Sequence, residues 1–97
     1  MTILTILTLR VPRDRSDDVV RYYRSARILE ESGAASARLC VDAEDSGNVV
    51  VVAEWPDAAA YEAWQGAPER EEFSRGILGA AGGAVDAGGQ VLQVLEE

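Results

Sequence analysis

The sequence predicts an α+β domain in which four strands form one antiparallel sheet and two helical segments pack on one of its faces. Three observations carry this. Two runs rich in β-branched residues, Thr2–Arg10 and Val49–Trp55, are apolar on both faces. Val19, Tyr22, Tyr23, Ala26 and Leu29 recur at helical spacing between them. The cluster Glu44, Asp45, Ser46, Gly47 joins an alternating segment to the second apolar run, which is hairpin chemistry.

In chain order, Pro12 ends the first strand. Ser16, followed by Asp17 and Asp18, signals a helix start, because a hydroxyl can cap orphan amides while carboxylates meet the positive end of the dipole. That helix is expected over about 16–32, closed by Gly33 in the left-handed region. Ala35 to Asp42 alternates with period two, and Val49 to Trp55 completes the hairpin. Asp57 is placed to cap the next helix, and Pro68 to occupy the first helical position of another, so two short helices or one bent helix follow. From Gly76 the segment ILGAAGGAVDAGG has poor helix propensity and reads as a flexible return loop, before a last strand around Val91–Leu95. With right-handed crossovers, the order strand, helix, strand, strand, helix, strand gives the ferredoxin-like arrangement. Helices on one face cannot bury both sides of the first and third strands. A second copy of the chain is therefore the expected cover for the open side.

Composition narrows the function. Ninety-seven residues make one small domain, spanning 1–97, whose core gains from burial against a second subunit. Seventeen acidic against nine basic residues give a net charge of -8, which opposes nucleic acid and anionic membrane as partners. The first ten residues carry no basic region ahead of the apolar stretch, so a cytoplasmic protein is expected. Histidine is absent and Cys40 stands alone, which removes Ser/His/Asp and Cys/His nucleophile systems, zinc sites of the usual kind and an axial haem ligand. No acidic spacing resembles a calcium loop, and the glycine-rich segment has no phosphate-binding spacing, so no metal or resident cofactor is expected.

The most informative stretch is Val49 to Phe73. Trp55 closes a strand, Pro56 and Asp57 turn the chain, and Tyr61 and Trp64 follow three residues apart on one helix face. Three large aromatics thus converge at one strand-to-helix junction, a wall suited to a flat apolar ligand. The segment EWPDAAAYEAWQGAPEREEF resembles the corresponding pattern of the antibiotic biosynthesis monooxygenase family, and the element order matches over nearly all of the chain. The resemblance implies a dimeric α/β barrel. Its relatives include oxygenases, isomerases, cyclases and haem degraders, so it identifies the fold better than the reaction.

Family members that oxidise aromatic polyketides to quinones without metal or flavin use a strand Trp, a helix Tyr, a nearby Asn and an Arg around a planar phenol. The resemblance places the first two at Trp55 and Tyr61, as the candidate catalytic residues. The amide is missing, since Val51 stands four residues before Trp55 on the same strand face. Arg75 falls where the family Arg could lie, and Trp64 stands where many relatives carry a helix His. Arg38, in mid-strand, could line the cavity or reach solvent. Trp64, Arg38, Val51 and Arg75 are thus the candidate substrate-binding residues, with Glu54 a candidate base. Each has an ordinary alternative: Trp55, Tyr61 and Trp64 as core, and Arg75 as half of an exposed pair with Glu71. The implied activity is cofactor-independent oxygenation of a polycyclic aromatic or polyketide-type substrate by a homodimer in secondary metabolism. A polyketide cyclase or isomerase, a non-catalytic ligand-binding dimer, and oxygenation with reduced flavin delivered by a partner reductase stay open beside it.

Overall fold

The computed structural model describes residues 1–96. In chain order the elements are β1 (Ile3–Arg10), a 3-10 turn (Arg13–Arg15), α1 (Ser16–Ser25), α2 (Ile28–Glu31), β2 (Ser36–Val41), β3 (Asn48–Trp55), α3 (Ala58–Gln65), α4 (Pro68–Ala80) and β4 (Asp86–Gln93). The sheet order is β2-β3-β1-β4, with every neighbouring pair antiparallel. This is the ferredoxin-like α+β topology expected from the element order. The two strands that read as apolar on both faces, β1 and β3, are the two central ones.

Register sorts the side chains. Leu9 lies opposite Val49, Leu7 opposite Val51 and Ile3 opposite Trp55. Because successive side chains alternate between faces, these odd-numbered residues face the helices together. Leu9, Val49 and Val51 join Val19, Tyr23, Ile28 and Ile77 in the main core cluster, and Ile3, Ala53 and Trp55 form a second cluster nearer the other end of the strands. Each fully buried aliphatic side chain here stabilises the fold by about 1.5–3 kcal/mol. The even-numbered set, Leu4, Ile6, Val50 and Val52, lies half-buried on the open face with no helix above it, and Leu92 beside them is 41% exposed.

Four local expectations are corrected. The helix expected over 16–32 is broken: Arg27 adopts φ 56°, and the chain resumes as the single turn α2 before Gly33 at φ 78°. A left-handed non-glycine residue costs about 1–2 kcal/mol, offset here by the burial of Ile28 just after the bend. Ser16 is not the cap. It is a buried first residue of α1, and the 3-10 turn supplies the entry instead.

The glycine-rich return begins later than its propensity suggested, because α4 continues through Gly76 and Gly79 to Ala80. A Cβ at position 76 would overlap the Tyr22 ring, so this glycine is what lets α1 and α4 close on each other. The turn proper comes at Gly82 and Gly83, with φ of 75° and 90°. Finally, the last strand starts at Asp86 rather than near Val91. Gly88 and Gly89, poor strand formers in isolation, are held by pairing with Thr8 and Leu7.

Candidate functional site

The β3–α3 junction is built as its residues dictate. The Asp57 carboxylate accepts a hydrogen bond from the Ala60 amide at 2.9 Å, which fixes the first turn of α3 and therefore the position of Tyr61 one turn in. Trp55, at the end of β3, is only 2% exposed, and its indole N–H donates to Thr5 Oγ1 at 3.0 Å. The Trp55 and Tyr61 rings lie 5.3 Å apart at 59°, a tilted aromatic contact. Gln65 donates to the Tyr61 hydroxyl oxygen at 2.7 Å, which leaves the phenolic proton available for another acceptor. Trp64 stacks obliquely on Phe73 of α4, with ring centres 6.1 Å apart, and touches both core clusters.

These rings bound a cavity of about 320 Å³ between sheet and helices, within the range of small-molecule sites. Its floor is Leu7, Leu9, Val51, Ala53 and Trp55, and its roof includes Tyr23, Ile28, Tyr61, Trp64, Phe73 and Ile77. Leu78, Val85, Ala87 and Gly89 carry the lining out to the α4–β4 side, where β4 is exposed along its whole length.

Of the residues singled out from sequence, Val51, Trp55, Tyr61 and Trp64 come together in this wall. Two do not. Arg38 is exposed and lies between Ala37 and Leu39 on β2; Ala37 lines the cavity, so strand alternation turns Arg38 to the open face. Arg75 is exposed on α4 and absent from the lining, and no ion pair joins it to Glu71 among the described residues. Glu54 fails as a base for the same reason as Arg38. It sits on the open face, where its nearest polar partner is the Ser36 hydroxyl at 3.5 Å. Among the described residues no carboxylate lines the cavity, and no group of three or more Cys, Asp or Glu could hold a metal ion.

The sequence pattern does not single out Arg70, and it places Tyr23 only in the apolar repeat of the first helix. Arg70, Phe73, Ser74 and Ile77 all line the cavity, and their spacing of three, four and seven is one helix face. That periodicity was the available signal, masked by the charges of PEREEF. Tyr23 is 4% exposed, and burial pushes its phenol up to about 12, with the Arg70 guanidinium pulling the other way. It is therefore a neutral hydroxyl at any working pH.

The cofactor-independent oxygenase SnoaB from Streptomyces nogalater has a similar fold, with a TM-score of 0.74 at 12% identity over 99% of this chain and 95% of that one. A Deinococcus radiodurans protein named for the antibiotic biosynthesis monooxygenases gives a TM-score of 0.81 at 13% identity, covering 98% of this chain and 94% of the other. Rv0793 from Mycobacterium tuberculosis gives 0.67 at 17% identity, over 100% and 98%. At such identities the likeness is one of fold. No curated protein matches the sequence. The model of the family described as antibiotic biosynthesis monooxygenase matches residues 2–76, and with the sheet order and helix layer above, the chain belongs to that family.

Proposed function

We propose that this protein is a tailoring monooxygenase that oxidises a planar, polycyclic phenol or anthrone-type substrate with dioxygen and no bound cofactor. The observation that carries the reading is the aromatic cavity: Trp55, Tyr61, Trp64 and Phe73 around about 320 Å³ of largely apolar space. SnoaB, a cofactor-independent oxygenase of similar fold, supports the same class.

The chemistry needs little from the protein beyond placement and charge stabilisation. An anthrone methylene loses a proton to give an electron-rich enolate, which passes one electron to dioxygen. Recombination forms a carbon–oxygen bond as a peroxide, and loss of water leaves a quinone carbonyl. One oxygen atom stays in the product, the other leaves as water, and the four electrons dioxygen takes up come from the methylene carbon. The rings of Trp55 and Trp64 hold the substrate and exclude water, and the Tyr61 proton is directed to the developing oxyanion. With no histidine in the chain and no carboxylate among the described lining residues, the proton leaves to solvent. Catalysis then consists of making the substrate more acidic.

A second copy covers the open face in this reading, packing Leu4, Ile6, Val50 and Val52 of one protomer against its partner. The test is oxygen uptake with 1,8-dihydroxyanthrone by the purified, colourless protein. The expected result is one dioxygen per quinone formed, with neither flavin nor metal added. A rate no higher than uncatalysed autoxidation would reject the oxygenase reading.

Val51 in the floor, where quinone-forming relatives carry an amide, favours a second reading, a cyclase or isomerase that uses the same cavity without redox chemistry. Turnover of a polyketide chain under argon would select it.

A further inference from the structure

The cavity has two chemically different ends. Trp55 and Tyr61 belong to the cluster around Ile3, whereas Tyr23 belongs to the cluster around Leu9 and Val49, and Trp64 touches both. Most of the polar side chains in the wall already have partners. Thr5 accepts from Trp55, Ser32 donates to the Leu29 carbonyl, and Ser74 donates to the Arg70 carbonyl. Four have none among the described residues: Gln90, which pairs with Ile6 and so turns its side chain to the open face, Trp64, which offers a single indole N–H, and Tyr23 and Arg70. Among the described residues the Tyr23 hydroxyl has no hydrogen-bond partner and the Arg70 guanidinium is in no ion pair, although both line the cavity. Among the described residues the one fully enclosed side-chain polar atom without a partner is Asn48 Oδ1, so the Tyr23 oxygen keeps access to open space, in a residue that is 4% exposed and lines the cavity. Arg70 is the sole cation among the described lining residues, in a protein of net charge -8.

From this placement we infer that Tyr23 and Arg70 form an oxyanion-binding pole, which selects aromatic ligands carrying an ionised phenol or enol and orients that oxygen toward α1 and α4. A phenol donor and a guanidinium are complementary to one anionic oxygen and offer nothing to an ether or a hydrocarbon. Burial raises the worth of the Tyr23 donor, because the alternative hydration is removed, and the half-burial of Arg70 acts the same way to a smaller extent. The inference rests on the cavity being a ligand site, and it deepens the proposed function by naming the ionisation state that is bound. A ring hydroxyl held ionised by this pair makes the ring system more electron-rich, while Tyr61 serves the oxyanion that develops at the reacting carbon's end.

The experiment compares two probes with one ring system: 2,4-dinitro-1-naphthol, ionised at neutral pH, and its neutral 1-methyl ether. Binding is read by quenching of Trp55 and Trp64 and checked by calorimetry, so no turnover is needed. The wild-type protein is expected to prefer the phenolate by at least tenfold. Arg70→Met and Tyr23→Phe should each reduce phenolate affinity about tenfold while leaving the ether unchanged. Arg70 is half-buried on a helix surface, so Arg70→Met decides the matter even if Tyr23→Phe does not fold. Equal phenolate binding by wild type and Arg70→Met, with the ether still bound, would overturn the pole and leave the aromatic cavity standing. Binding of neither probe by the wild-type protein would overturn both.

Discussion

The Trp55 indole N–H and the Thr5 hydroxyl meet across the β1–β3 pair at 3.0 Å, and both residues are buried. Thr5 pairs with Ala53 in register, so the bond runs diagonally to the residue two further along β3. It sets the plane of the indole that forms part of the cavity floor.

Thr5→Val keeps the shape and removes the acceptor. The buried indole N–H is then left unpaired, a loss of about 1–3 kcal/mol. A lower denaturant midpoint with an unchanged slope is expected, together with a shift in tryptophan emission. An unaltered midpoint would mean that the hydroxyl does not restrain the ring.

The two glycines inside α4 should respond with opposite signs. At Gly76 a Cβ runs into the Tyr22 ring, and Gly76→Ala should destabilise by about 1–3 kcal/mol through overpacking. At Gly79 nothing lies within 4 Å, and Gly79→Ala should stabilise by about 0.5–1 kcal/mol through helix propensity alone. Thermal melts of the two variants are the check, and Tyr22→Ala should relieve most of the penalty at position 76.

Tyr23 makes the fold sensitive to strong base. Its phenol is raised from 10.0 to about 12 by burial, so above pH 10 the unfolded chain loses this proton while the folded one keeps it. Stability is therefore full below pH 10 and falls as pH rises through 12, by on the order of 2–3 kcal/mol. Urea titrations between pH 9 and about 12 should show this fall in the wild-type protein and a smaller one in Tyr23→Phe.

If Tyr61 supplies the proton to the developing oxyanion, Tyr61→Phe should lower kcat about a hundredfold with little change in KM. Trp64→Ala should instead raise KM. Oxygen-electrode kinetics with the anthrone separate the two, and a raised KM with kcat unchanged for Tyr61→Phe would mean that it only binds.

The open sheet face predicts assembly. Sedimentation should give twice the chain mass for the wild-type protein, and Val52→Lys, which places a charge among Leu4, Ile6 and Val50, should give the single mass. A wild-type monomer would remove the second copy from the proposal.

Element order, the α3 cap and the aromatic junction were legible because each depends on local chemistry: β-branched runs, an Asp before a helix, a three-residue spacing. What escaped was set by tertiary contact. Gly76 reads as a helix breaker until Tyr22 is laid across it, and Gly88 and Gly89 read as loop until β1 pairs with them. Arg38 and Glu54 were ambiguous because two apolar faces conceal which one the helices cover, a choice made by the packing of Tyr23, Ile28 and Ile77. Arg70 was hidden among exposed charges of like spacing.

The bend at Arg27 bears on how the protein could diversify. Ile28, Leu29 and Ser32 reach the cavity wall only because a left-handed residue turns one short helical segment inward after α1. That segment is a single turn whose loss would leave the sheet and its register untouched. Shortening or lengthening it changes the depth available to a ligand without disturbing the β3–α3 junction, so variation in the size of ring system accepted should concentrate in this one corner.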